Sequence, residues 1–184
     1  LARTHGRALW SPTTAVADPV TVVEALAARV RERGGRIAMS SEVTAAGPGW
    51  VVSRTGGFMS AGHVINAAGL HADTVAHWFG VGEEYRMMPF KGLYWYGSWA
   101  PGTLQRHVYP VPDPRNPFLG VHLTRMVHGG IHAGPNAVLA LRREGYTWRD
   151  VDVAELRESL AWPGLWALAK RNIVPGAREV VRSL

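Results

Sequence analysis

Polar side chains gather beside glycine and proline in four passages of this 184-residue chain. They are Phe90-Lys91-Gly92-Leu93-Tyr94, Tyr109-Pro110-Val111-Pro112-Asp113-Pro114, Leu119-Gly120-Val121-His122-Leu123-Thr124-Arg125 and His132-Ala133-Gly134-Pro135-Asn136-Ala137. A guanidinium such as Arg125 suits bidentate binding of a substrate carboxylate, with Lys91, Tyr94 and His122 as further donors. Thr124 and Asn136 complete the set of candidate substrate contacts. Taken one at a time, each side chain has an ordinary structural explanation. Their concentration in one stretch, near predicted strand ends, is the signal.

Other chemistries fit less well. Asn66-Ala67-Ala68-Gly69 reads as the end of a strand running into a turn of small residues, which lets a flat or charged ligand approach the backbone closely. A tight turn beneath a packed helix would use the same residues. Gly80-Val81-Gly82-Glu83-Glu84-Tyr85 is the nearest approach to a dinucleotide fingerprint, but Tyr85 stands at the third glycine and the pattern follows a helix rather than a strand. His128 and His132 have a four-residue spacing, yet Gly129-Gly130 between them opposes a helix and no acidic third ligand is near. No metal site is therefore predicted. Asp73, Glu83 and Glu84 read as solvated carboxylates flanking a loop, and no GxSxG elbow exists. With no cysteine, disulfides, thiolate metal sites and cysteine nucleophiles are excluded.

The elements that must position these residues follow from periodicity and punctuation. Asp18-Pro19 starts a helix running to Arg33, with Val20, Val23, Leu26, Ala27 and Val30 on one apolar face and Gly34-Gly35 ending it. A short strand over 36–39 follows. Two short strands at Glu42–Ala45 and Trp50–Ser53 flank Gly47-Pro48-Gly49, as in a hairpin. A buried strand over 63–69 and a helix over 73–79 come next. After Gly82 the pattern turns to strands over 87–97, 107–111, 118–123 and 130–133, a mixed or antiparallel sheet. Asp152 caps a helix to Leu160, Pro163-Gly164 interrupts it, and helical patterns cover 165–171 and 177–182. Trp148, Trp162 and Trp166 fit core packing of these helices better than an association surface.

Composition narrows the class. Hydrophobic residues make up 47% and charged residues 18%, near globular averages, and no apolar run approaches the ~20 residues of a membrane-spanning helix. The net charge of +6 is spread over scattered arginines without an aromatic platform or groove-reading motif, so no nucleic-acid binding is expected. The chain begins at Leu1 without a signal-like apolar core and stops inside a helical run, which reads as part of a longer protein. A cytoplasmic location is the default; membrane association through other segments stays open.

In this order the segments resemble the flavin-dependent oxidoreductases of the D-amino-acid-oxidase superfamily, and among them the L-2-hydroxyglutarate-oxidising members. The resemblance covers about Ser11 to Arg171. It is carried by Val64-Ile65-Asn66-Ala67-Ala68-Gly69-Leu70-His71-Ala72-Asp73, by Tyr109 to Pro114, and by Gly134-Pro135-Asn136-Ala137-Val138-Leu139-Ala140 continuing to Arg143-Glu144-Gly145-Tyr146. It implies an α/β (α+β) fold: part of a Rossmann-type FAD-binding lobe over 1–82, a substrate-binding sheet over 83–148 and a helical segment over 149–184. It also implies FAD as cofactor, with the backbone of Val43 against the adenine portion, Ala68 and Gly69 lining the cofactor, and His71 as a neighbour.

The implied reaction removes hydride from C2 of a 2-hydroxy acid to FAD, with oxygen or a quinone reoxidising the flavin. His122 is the candidate for the base that takes the hydroxyl proton, because imidazole titrates near working pH. Leu93 stands where the family tends to carry an acidic residue. The family's amino-terminal glycine-rich turn and its closing flavin segment are not found within 1–184, so the chain by itself is expected to bind FAD weakly or not at all, and not to turn over. Two further readings remain: an FAD-dependent amino-acid or amine oxidase, and a non-catalytic module binding a small acid or a partner protein.

Overall fold

The structure, a computed structural model, describes residues 6–97, 99–100, 102–111 and 120–182. In chain order the elements are α1 (Pro19–Glu32), β1 (Val43–Gly47), β2 (Trp50–Ser53), β3 (Phe58–Ser60), a 3-10 turn (Gly69–His71), α2 (Ala72–Trp78), β4 (Phe90–Gly97), β5 (His122–Arg125), β6 (Ile131–Leu139), α3 (Val153–Ala161), α4 (Pro163–Arg171) and α5 (Ile173–Arg182). They form two compact units. The first is built from Leu1–Ile37 and Gly92–Ala137, the second from Ala38–Lys91 and Val138–Arg182. Helices with antiparallel sheets make an α+β fold.

In the first unit α1 begins as its sequence dictates. The Asp18 carboxylate accepts hydrogen bonds from the Val20 N–H at 3.2 Å and the Thr21 N–H at 3.4 Å, satisfying donors that a helix start leaves orphaned, and Pro19 supplies a preset φ. Gly34, at φ 78°, turns the chain out of the helix. The apolar face is not buried: Val20 and Val23 are 61% and 63% exposed, and no α1 residue is buried. The periodicity was sufficient to predict a helix, but no described residue of this unit covers that face.

The sheet of order β4-β6-β5 occupies the first unit except for the outer ends of β4 and β6. β5 and β6 are antiparallel, with His122 opposite Gly134 and Thr124 opposite His132. The segment expected as a strand over 107–111 contributes a single bridge, Val108 to Leu123. Most of the strand expected over 118–123 falls elsewhere: 118–119 lie outside the described residues, as do Pro112, Asp113, Pro114 and Pro117, and the ladder starts at His122.

The second unit carries the meander β1-β2-β3, closed by a Gly47–Trp50 turn and register-shifted between Val43 and Ala45. β1 is an edge strand, and α2 packs against it. The buried apolar residues Ala46, Val138, Ala140 and Leu165 all belong to this unit. Asp152 caps α3, accepting from the Ala154 and Glu155 N–H groups at 2.9 and 3.0 Å. Trp162 is extended as a residue before proline must be, so α3 stops and α4 restarts at Pro163. Trp148 and Trp166 are 39% and 53% exposed rather than core residues. The Trp166 indole lies along the α3–α4 corner and donates to the Leu160 carbonyl at 2.7 Å.

Two expected strands are not formed. The segments 36–39 and 63–69 have no ladder, and Ile65 is 89% exposed. A strand exists only through its neighbours' hydrogen bonds, and among the described residues neither segment has a neighbouring strand. Among the described residues no helix is long and apolar enough to cross a membrane.

Candidate functional site

Cross-strand partners share a face, so the pairing of His122 with Gly134 and of Thr124 with His132 puts all four on one side of the first unit's sheet. β4 supplies Tyr94 and Tyr96, two residues apart and therefore on one side of their strand. The Tyr96 ring stands edge-on to His132 with centroids 4.2 Å apart, and Tyr94 lies 6.2 Å from the same imidazole. Tyr109 stacks on His122 at 4.8 Å. The result is a half-open face of two imidazoles, three phenols and a threonine hydroxyl. Gly134 makes room for it: a Cβ there would lie 2.8 Å from the Leu93 carbonyl oxygen and from the Tyr94 ring.

His122 is held at one ring nitrogen by main chain. Its Nδ1 lies 3.3 Å from the Gly120 carbonyl oxygen. In the tautomer whose Nδ1–H donates there, Nε2 carries the free lone pair. The two-residue spacing of Tyr94 and Tyr96 was a signal for the second phenol that the sequence reading passed over. His132, weighed as a metal ligand and not among the candidate substrate contacts, belongs to this face, while His128 approaches Asp18 at 3.7 Å. Among the described residues no three histidine or carboxylate side chains are grouped to hold a metal.

Of the remaining candidate contacts, Asn136 shares that face by strand alternation, whereas Arg125 and Lys91 do not. Arg125 alternates to the other side of β5 from Thr124 and lines an open cleft of about 270 Å³ with Thr14, Gln105, Arg106 and His107. Its backbone N–H donates to His107 Nδ1 at 3.2 Å. Asn136 lies two residues beyond Gly134 on β6 and is buried, its Oδ1 without a hydrogen-bond partner among the described residues. Lys91 belongs to the second unit. It is 3% exposed, its Nζ sits 4.1 Å from the Trp148 ring centroid, and it too lacks a hydrogen-bond partner among the described residues. Cation–π attraction to Trp148 offsets part of the desolvation of that ammonium.

The candidate cofactor residues lie in the second unit on neighbouring elements. Val43 opens edge strand β1, and α2, which follows the turn at Ala68, Gly69 and His71, packs against β1. Asn66 shapes the turn from within. Its Nδ2–H donates to the Ala72 carbonyl at 2.8 Å and its Oδ1 accepts from the Ala68 N–H at 3.2 Å. Gly69 has φ 55°, and nothing lies within 4 Å of where a Cβ would stand. The His71 ring lies 3.5 Å from Glu144 and is half exposed. An exposed run of small residues with open space above its backbone fits a flat ligand held by main-chain contacts.

Asp73 is not the solvated carboxylate its sequence context suggested. It is buried and ion-paired with Arg143, which forks onto it at 2.5 and 2.9 Å. The N–H groups of Thr74 and Met87 complete its shell at 2.8 and 2.9 Å. Burial alone would raise the Asp73 pKa, but the guanidinium and these two N–H donors outweigh it and hold the carboxyl well below the usual range. The same guanidinium donates to the Leu70 carbonyl, and the Arg143 N–H donates to Glu155 at 2.6 Å. Seventy positions separate Asp73 from Arg143, so no local spacing announced the pair.

The family model of the FAD dependent oxidoreductases matches residues 1–183. An L-2-hydroxyglutarate dehydrogenase of Indibacter alkaliphilus is 37% identical over 181 residues, 96% of this chain and 45% of the relative. The L-2-hydroxyglutarate dehydrogenase of Escherichia coli K12 is 35% identical over 96% of the chain and 43% of its own length. The mitochondrial enzyme of that name from Homo sapiens is 38% identical over 122 residues. The chain thus spans less than half the length of these first two relatives. It belongs to the FAD-dependent oxidoreductase family, whose cofactor is FAD.

Proposed function

We propose that this member of the family serves the oxidation of a 2-hydroxy acid, L-2-hydroxyglutarate, to the 2-oxo acid. Bound FAD would supply the acceptor for the hydride that leaves C2. The protein's own residues bind, orient and manage the proton. The main chain of Ala68 and Gly69, with Val43 and His71, holds the cofactor in the second unit. In the first unit Tyr94 and Thr124 orient the hydroxy acid, and Nε2 of His122 takes its hydroxyl proton. Tyr109 stacked on His122 keeps that imidazole in one plane. Asn136, on the same side of β6 as His132 and Gly134, is a further contact for the substrate, and oxygen or a quinone is the final electron acceptor.

The observation supporting this reading is the imidazole and phenol face of the first unit, which gathers ring nitrogens and hydroxyl groups on one side of the sheet. The identities to L-2-hydroxyglutarate dehydrogenases support the substrate. Mixing the flavin-loaded full-length gene product with L-2-hydroxyglutarate, D-2-hydroxyglutarate or L-glutamate under anaerobic conditions tests it. Bleaching of the visible flavin absorption by the L-hydroxy acid alone is expected. Bleaching by L-glutamate instead would move the protein to the amino-acid oxidases. No bleaching by any of the three would remove the proposed substrate class.

A further inference from the structure

The turn over 66–71 is exposed, belongs to no sheet, and is fixed at both ends by side chains rather than by a ladder. Asn66 shapes it from within; the fixing from outside comes from Arg143, more than seventy positions away. One guanidinium spans two targets, the Asp73 carboxylate in the first turn of α2 and the Leu70 carbonyl inside the 3-10 turn. Its own main-chain N–H is tied to Glu155 of α3. The side chains of Arg143 and Asp73 are only 10% and 6% exposed.

A buried ion pair is a poor way merely to anchor a helix, because desolvation consumes most of the attraction and well-packed apolar residues stabilise as well. What a buried, hydrogen-bonded fork provides better than apolar packing is direction: a planar group with fixed donor vectors holds its acceptors at set angles. Here it dictates where the Leu70 carbonyl points, and so how the peptide planes after Gly69 are turned.

We propose that Arg143 and Asp73 are positioning residues for FAD, their ion pair holding the Ala68–Leu70 main chain in the conformation that receives the cofactor. This rests on the reading that the turn lines FAD. Neither residue touches the cofactor in this role; both act through the backbone of the turn.

The test uses the full-length gene product with Arg143→Lys and Asp73→Asn, and Asn172→Ala as a control. Lysine keeps a charge opposite Asp73 but cannot fork onto the carboxylate and reach Leu70 together. Asn172→Ala removes the side-chain hydrogen bond to the Leu168 carbonyl at the end of α4, in the same unit, and leaves Arg143, Asp73 and Glu155 with their partners. Hydrogen exchange of the amides over 68–74, the FAD dissociation constant and the visible circular dichroism of bound flavin are read for each. Faster exchange over 68–74, at least tenfold weaker FAD binding and an altered flavin band are expected for Arg143→Lys and Asp73→Asn. Asn172→Ala should change none of the three, at a comparable fall in thermal midpoint. Equal loss of FAD in all three variants would reduce the pair to a stability element, and unchanged FAD binding despite faster exchange would end the positioning role. An unsubstituted protein that takes up no FAD would instead overturn the reading of the turn itself.

Discussion

Gly134→Ala is the most informative single change to the first unit, because one added methyl group meets the strand that carries the phenols. A Cβ at Gly134 would stand 2.8 Å from the Leu93 carbonyl oxygen, 2.8 Å from Tyr94 Cδ1 and 3.1 Å from Tyr94 Cα. The ring can rotate away, but the carbonyl and Cα are main chain of β4, so relief requires the strands to separate locally. Overpacking of this kind costs about 1–3 kcal/mol. The residue also sits at φ 153°, a conformation L side chains rarely adopt, which adds roughly 1 kcal/mol or more. Together these give about 3 kcal/mol, a fall in Tm of roughly 6–12 °C for a domain of this size.

Gly102→Ala supplies the internal reference. Gly102 has φ 86° and nothing within 4 Å of its Cβ position, so its substitution carries backbone strain without a clash. Thermal unfolding followed by circular dichroism should show Gly134→Ala losing clearly more than Gly102→Ala. With substrate, its kcat should fall as well, since the Tyr94 ring is displaced from His132. Equal Tm losses in the two variants would refute the claim that Gly134 is required by packing against β4, and with it the role given to that glycine in shaping the face.

Three other outcomes are expected. Asp18→Ala should destabilise α1, read as faster amide exchange in its first turn, because the Val20 and Thr21 donors lose their acceptor. His122→Ala should lower kcat by roughly 10²- to 10⁴-fold with a much smaller change in KM, if the imidazole takes the hydroxyl proton; equal kcat would assign the base elsewhere. The Asp73 carboxyl has a folded-state pKa below its unfolded one, so its contribution is fully present above the ordinary value of ~4 and is lost as pH falls below it. Urea titrations across that range should show stability declining with acid. In Asp73→Asn the decline should be shallower, since no proton is then linked to this site.

What could be read from sequence was local. The Asp18 and Asp152 caps, the glycine turns of the meander and the Pro163 break each depend on two or three adjacent residues, and each stands where its chemistry requires. The strands over 36–39 and 63–69 failed for the opposite reason: an apolar run specifies a strand only when a partner strand completes its ladder, and a one-dimensional pattern does not reveal whether the partner is there. The same limit explains α1, whose apolar spacing was right and whose burial was not.

The candidate site divides along that line too. His122, Thr124 and Tyr94 could be named from their residue types and brought together by strand alternation, a rule of period two. Arg125 and Thr124 are adjacent in sequence, and the same rule sends them to opposite faces, so treating them as one cluster ignored information the sequence already held. Asp73 and Arg143 offered no such clue. A carboxylate in a first helical turn and an arginine after a strand are both commonplace, and only the three-dimensional structure shows one guanidinium joining α2 to the Leu70 carbonyl. Buried ion pairs between distant segments are therefore where structure adds most to a reading of function. They are the contacts that propensity and periodicity cannot encode, and here one of them sets the main chain beside Gly69 on which the proposed cofactor contact depends.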